Sequence, residues 1–136
     1  MNMPDLDAAN PVLPGAEIIA RISEALERDG THTWEDVREM LLCGDAQIFW
    51  NDHGAWITQV MVAPRMRWLH VWIVAGQLPE LMEIQEQVER FALTKTISRI
   101  VATTRPGWAV LTTKDGWEQF GWRKHGDVLT HRVEGV

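Results

Sequence analysis

The chain of 136 residues contains one cysteine, no tyrosine and no long apolar segment. Because Cys43 is the only thiol, neither an intrachain disulfide nor a thiolate metal site can form, and we expect Cys43 to be a small buried residue near a helix end. The histidines include no closely spaced pair that would bind a metal. The longest apolar run is too short to cross a bilayer and no secretory signal opens the chain, so we expect neither membrane association nor secretion by a signal peptide.

The sequence also lacks any block of like charge. The formal net charge is -6, and the lysines and arginines are spread along the chain. We therefore expect no direct binding to nucleic acid, which requires a positive surface. Apolar residues make up 46% of the chain, which is typical of a globular protein, and the length suits one domain. Without a signal or a membrane segment, a reducing cytoplasm is the expected compartment.

Residues 1–15 differ from the rest of the chain and predict an extended N-terminal arm. This segment contains Pro4, Pro11 and Pro14 and shows little apolar periodicity. An arm of this kind needs a surface to lie against, either a partner subunit or its own domain. Residues 16–136 are expected to form the single domain.

Helical periodicity predicts four helices, of which the second and the fourth are short. In the first, apolar residues recur at helical spacing and Gly30 ends the helix. In the second, Thr33 is the expected N-cap and Gly44 the terminator. The predicted ranges are Ala16–Arg28, Thr33–Cys43, about Pro79–Leu93 and Gly107–Lys114.

Alternating and β-branched patterns predict six strands. Met66–Ala75 is apolar on both faces and belongs in the middle of a covered sheet, with Trp68, His70, Trp72 and Val74 on one face. The strand–helix–strand order that follows predicts a right-handed crossover and a parallel pair. The other predicted strands are Gln47–Asn51, Ala55–Val62, Ile97–Thr103, Gly116–Lys124 and Val128–Val133.

The order α-α-β-β-β-α-β-α-β-β resembles the GNAT (acyl-CoA N-acyltransferase) fold. The segment from Arg67 to Gly76 corresponds to that family's fourth strand. The segments Arg105–Trp108 and Asp115–Trp117 resemble short GNAT-like proteins encoded by phages. The resemblance implies an α/β fold with a mixed sheet, in which the parallel pair of central strands splays apart at a wedge.

In GNAT enzymes the wedge holds acetyl-CoA against the fourth strand, and the diphosphate lies on a loop of pattern Q/R-x-x-G-x-G/A. The corresponding positions here are Val74 on the strand and Gln77, Glu80 and Met82 in the loop. Gln77 matches, but Glu80 and Met82 replace both glycines, and Pro79 has no N–H to donate. A carboxylate at a helix N-terminus would compete with a phosphate. We therefore expect no cofactor, and these four positions would contact acetyl-CoA only if it binds.

Catalytic groups are equally sparse. Many GNAT enzymes use a tyrosine to protonate the departing thiolate, and this chain has none. His70 and Glu118 are weak candidates for a catalytic base or acid, and no catalytic residue and no metal are expected.

Tryptophan is abundant, with eight residues, and four of them fall on three successive predicted strands. Large aromatic side chains are enriched at protein interfaces. We therefore take Trp50, Trp56, Trp68 and Trp72 as candidate interface residues.

The sequence leaves three hypotheses open. The first is a non-catalytic GNAT-fold protein of a phage or prophage that contacts other protein subunits, most concretely as a small virion component of the capsid, connector or ejection apparatus. The second is an N-acetyltransferase that binds acetyl-CoA through a degenerate loop. The third is an inhibitor or regulator of a host protein. The expected location is the host cytoplasm or the virion.

Overall fold

The computed structural model describes residues 13–76, 83–103, 122–125 and 128–133. The predicted fourth helix and most of the predicted fifth strand lie outside these ranges. In chain order the elements are α1 Ala16–Asp29, α2 Trp34–Cys43, β1 Gln47–Trp50, β2 Ala55–Ala63, β3 Met66–Ala75, α3 Gln85–Thr94, β4 Arg99–Thr103, β5 Arg123–His125 and β6 Val128–Arg132.

The first two helices begin and end where their capping residues predict. Gly30 adopts the left-handed conformation and its N–H bonds the carbonyl of Leu26 at 2.9 Å. At the start of α2, Asp36 N–H donates to Thr33 Oγ1 at 3.2 Å, while Thr33 N–H donates to Asp36 Oδ2 at 2.9 Å. These bonds from Thr33 favour the ionised carboxylate and lower the pKa of Asp36. The reciprocal capping satisfies two N–H groups that the helix itself cannot.

The six strands form one mixed sheet in the order β1-β2-β3-β4-β6-β5. The pair β3 and β4 is parallel, with Leu69 beside Ile100, and the other neighbours are antiparallel. Because α3 lies between β3 and β4 in the chain, the predicted parallel pair and its helical connection are confirmed. The α/β architecture with one parallel pair agrees with the fold that the sequence predicts.

Helices cover both faces of the sheet and define two apolar clusters. The α3-side core contains Trp56, Leu69, Val71, Val88, Ile100 and Trp122 among its buried residues. The helix-pair core lies under α1 and α2 and contains Ile18, Ile22, Leu26, Val37, Ile57 and Ile73 among its buried residues. Because β3 contributes to both clusters, it is the central strand that its two apolar faces predict.

The structure describes the end of the predicted N-terminal arm and the environment of Cys43. Leu13 packs against the helix-pair core and Pro14 is buried, so the end of the predicted arm lies on the domain's own surface. The rest of the arm lies outside the described residues. The expectation that Cys43 is buried is wrong, because Cys43 is exposed at the last position of α2, one residue before Gly44 ends the helix.

Candidate functional site

The parallel strands β3 and β4 stop pairing before β3 ends. Their registered pairs run from Leu69 beside Ile100 to Val71 beside Ala102. Beyond this point β3 continues through Trp72–Ala75, and its other edge remains paired to β2. Within the described ranges no strand pairs with the β4-facing edge of Ile73–Ala75. This stretch of β3 corresponds to the position at which the resemblance expects a wedge.

A β-bulge lies at Trp72, one residue after the last described pair between β3 and β4. On β2, Ile57 pairs with Ile73 and the next residue, Thr58, pairs with Val71, so Trp72 is the extra residue on β3. A bulge of this kind rotates the following side chains to the opposite face. Trp72 and Ile73 consequently both pack on the helix-pair core.

The bulge corrects the predicted faces of β3. Strict alternation placed Val74 on the same face as Trp68, His70 and Trp72, but Val74 packs against the α3-side core. Trp72 instead makes an edge-to-face contact with the ring of His32, at 4.7 Å between centroids. Val74, the one predicted cofactor position that the structure describes, is half-buried opposite Trp56 on β2.

The start of α3 differs from the prediction. The sequence places it near Pro79, whereas Glu83 and Ile84 form a turn and the helix begins at Gln85. The carbonyl of Ile84 accepts from Gln87 N–H at 2.9 Å and from Val88 N–H at 3.2 Å, which fixes the first turn. The predicted start near Pro79 lies outside the described residues. Gln77, Glu80 and Met82 lie outside the described residues.

His70 is half-buried in the middle of β3, opposite Gln59 and beside Val101. Burial lowers the pKa of its imidazole, because the charged form loses hydration. A general base in an enzyme is usually oriented by a second polar group. In the described part of the chain no hydrogen bond or carboxylate orients His70. Glu118, the other candidate, lies outside that part.

A buried polar cluster joins α3 to the last strand, and sequence reasoning missed it. Trp122 Nε1 donates to Gln85 Oε1 at 2.8 Å, and Gln85 Nε2 donates to Glu89 Oε2 at 3.4 Å. His131 Nε2 lies 2.9 Å from Glu89 Oε1 and the Trp122 and His131 rings are 5.3 Å apart. No sequence signal relates His131 to Glu89, which is 42 residues away. The cluster satisfies polar groups within the α3-side core and ties three segments together.

The four candidate interface tryptophans occupy different environments. Trp56 is fully buried, so it is not an interface residue, and its ring packs 6.2 Å from that of Trp122. Among the residues that the structure describes, none forms a hydrogen bond with the indole Nε1 of Trp56. Trp50 and Trp72 are half-buried against the helix-pair core, and Trp68 is half-buried on the face of β3 opposite Leu69.

The described residues contain no group of three or more metal-ligating side chains. They also contain no helix with the length and hydrophobicity needed to cross a bilayer.

Comparison with known proteins identifies the fold. The chain resembles N-acetylglutamate synthase from Neisseria gonorrhoeae, solved with coenzyme A and N-acetyl-glutamate, with a TM-score of 0.58 and 12% identity over 92% of this chain. It spans only 34% of that enzyme. A GNAT family N-acetyltransferase from Escherichia coli, solved with CoA, gives a TM-score of 0.54 and 14% identity, covering 92% of this chain and 84% of that one.

A GNAT family acetyltransferase from Listeria monocytogenes gives a TM-score of 0.52 and 10% identity, covering 85% of this chain and 84% of that one. No protein-family model matches the chain, and no curated protein matches it. The chain therefore has the GNAT fold. At this level of identity the likeness concerns the fold and leaves activity to be argued from the residues.

Proposed function

We propose that this chain is a GNAT-fold protein that contacts other proteins and does not transfer acyl groups. The observation that carries the proposal is the composition of the connection between β3 and α3. β3 ends at Ala75 and α3 begins at Gln85, so the connection runs from Gly76 to Ile84. Gly76, with a φ of 133°, is its only glycine and is its first residue.

No alignment of the family's loop within this connection restores its two glycines. A diphosphate is bound by backbone N–H groups that approach closely, and glycine permits that approach. Pro79 removes one N–H donor, and Glu80 and Glu83 add two carboxylates that repel phosphate. Glu86 in the first turn of α3 already places negative charge at the positive end of the helix dipole.

The proposed partners are other protein subunits, phage structural proteins among them. The likeness of segments 105–108 and 115–117 to short phage-encoded proteins supports this setting, and the missing tyrosine supports a role without acyl transfer. A small virion component of the capsid, connector or ejection apparatus is its most concrete form. Mass spectrometry of purified particles tests the virion role, and absence from the particles and from every co-purifying complex contradicts it.

Calorimetric titration with acetyl-CoA tests the absence of acyl-transfer function. We expect no saturable heat at millimolar acetyl-CoA. Saturable binding of acetyl-CoA at micromolar concentration would overturn the proposal. Glu80→Gly should then strengthen acetyl-CoA binding, because the substitution removes a carboxylate from the loop. Glu17→Gly is the charge-matched control on α1, far along the chain from the loop, and should leave binding unchanged.

One observation favours a second candidate, an N-acetyltransferase that uses acetyl-CoA. Within the described ranges the β4-facing edge of Ile73–Ala75 has no strand partner, and a backbone edge of this kind can pair with the amides of an extended ligand. This candidate predicts that the amide signals of Ile73, Val74 and Ala75 shift when CoA is added. Unchanged signals at saturating CoA would exclude it.

A further inference from the structure

Four side chains lie in a row across the face of the sheet opposite the α3-side core. Met61 on β2 pairs directly with Trp68 on β3. Trp68 and Arg99 each precede the registered pair Leu69 and Ile100 by one residue, so they are neighbours on adjacent strands. Arg99 on β4 pairs with Arg132 on β6. We call Met61, Trp68, Arg99 and Arg132 the arginine row.

The row is accessible and rich in positive charge. Arg99 and Arg132 are exposed, Met61 is 38% exposed and Trp68 is half-buried. On the next row of the same face Arg123, also exposed, lies opposite Thr130. Neither row contains an acidic residue, and none of these three arginines forms an ion pair within the part of the chain that the structure describes.

Two arginines directly opposite each other on neighbouring strands repel and cost stability. A ligand carboxylate placed between their guanidinium groups would reverse that repulsion, and Arg binds carboxylates through paired hydrogen bonds. The neighbouring Trp68 ring and Met61 side chain offer apolar contact. Trp and Arg are the residue types that contribute most to protein interfaces.

We propose that the arginine row binds an acidic segment of a partner protein, with carboxylates against Arg99 and Arg132 and an apolar side chain against Trp68 and Met61. The inference rests on the proposed function, since it assigns the partner chemistry of a protein that works by contact. It adds to that proposal a location on the surface and the composition of the segment that binds there.

The charge around the row favours a short acidic segment over a nucleic acid. Helices α1 and α2 cover the same side of the sheet and carry seven carboxylates against three arginines. A long polyanion crossing the row would approach these helices and be repelled, whereas a short segment gains the local attraction of the arginines.

Fluorescence anisotropy with three labelled probes tests the inference. The probes are a short synthetic peptide of repeated Glu-Glu-Leu triplets, the same peptide with Gln in place of Glu, and an oligothymidylate of similar length. We expect the acidic peptide to bind most tightly and to weaken as salt is raised. Equal binding of the Gln peptide, or tighter binding of the oligothymidylate, would overturn the assignment.

Variants locate the binding on the sheet. Arg99→Glu should lower the affinity for the acidic peptide by at least about tenfold, because it replaces attraction with repulsion at the centre of the row. Arg38→Glu makes the same change in net charge at an exposed position on α2, outside the row, and should leave affinity unchanged. Equal losses of affinity in both variants would mean that net charge alone governs binding, which would contradict a binding site on the arginine row.

The Trp68 indole N–H signal of the wild-type protein gives a second readout. Trp68→Phe is used only to assign this signal. We expect it to shift on addition of the acidic peptide and to stay unchanged on addition of acetyl-CoA. Binding of the acidic peptide without a shift of this signal would contradict the location of the binding site on the arginine row. Binding of acetyl-CoA, by contrast, would overturn the proposed function and leave the peptide result standing, so the two failures are distinguishable.

Discussion

Trp122 donates a hydrogen bond from its indole Nε1 to Oε1 of Gln85 at 2.8 Å, across 37 residues of sequence. Both residues are buried, and Gln85 also bonds Glu89 within the same cluster. This bond fixes the first turn of α3 to the segment that precedes β5. Because the cluster lies in the α3-side core, its polar groups depend on one another for their hydrogen bonds.

Replacing Gln85 by Leu should destabilise the protein by about 1–3 kcal/mol, because it leaves the Trp122 N–H buried without this acceptor. The measurement is urea unfolding followed by circular dichroism. Gln87→Leu is the matched control two residues along α3, where an exposed side chain makes only a 3.4 Å bond to the carbonyl of Trp50. Equal costs for the two substitutions would show that the cluster adds no stability.

The two buried tryptophans Trp56 and Trp122 offer a second comparison. Each Trp→Phe substitution removes a similar volume from the α3-side core. Trp122 loses its hydrogen bond to Gln85, whereas Trp56 Nε1 has no partner in the described part of the chain. We expect Trp122→Phe to cost about 1 kcal/mol more than Trp56→Phe in the free energy of unfolding. A larger cost for Trp56→Phe would indicate that its N–H is satisfied in solution.

His70 should make folding stability depend on pH. Burial lowers its pKa in the folded protein below the ordinary value of 6.5. The unfolded chain therefore binds the proton more readily, and stability falls as pH drops below 6.5 and levels off below the folded pKa.

Chemical unfolding at about pH 7.5 and about pH 5.5 measures this effect. Wild type should lose more stability on acidification than His70→Gln, whose side chain does not titrate. The comparison cancels contributions from the groups common to both proteins. An identical pH dependence in the two proteins would contradict the shift at His70.

The sequence predicts elements whose limits are set by local chemistry. Gly30, Thr33 and Gly44 define the ends of α1 and α2 because left-handed glycines and a capping threonine act within a few residues. The parallel pairing of the strands on either side of α3 also follows, because a strand–helix–strand connection of this length predicts a crossover. The GNAT resemblance is confirmed at the level of the fold.

Features that depend on distant residues could not be predicted. The bulge at Trp72 changes the face of Val74, yet a bulge in the middle of an apolar strand has no residue signature. Apolar residues at helical spacing continue from Leu81 through Ile84, so the pattern did not separate the turn from the start of α3. The arginine row consists of residues that are scattered along the chain, so no block of positive charge in the sequence indicates it.

Converting Arg132 to Glu should stabilise the free protein while abolishing binding of the acidic peptide. The substitution replaces the repulsion between Arg99 and Arg132 with a cross-strand ion pair, for an expected gain of about 0.5 kcal/mol in the free energy of unfolding. Arg123→Glu is the control, because it makes the same change in net charge opposite Thr130 and should gain less. An equal gain in both variants would attribute the effect to net charge. A gain confined to Arg132→Glu, together with loss of peptide binding, would show that this pair sacrifices stability of the free protein for recognition.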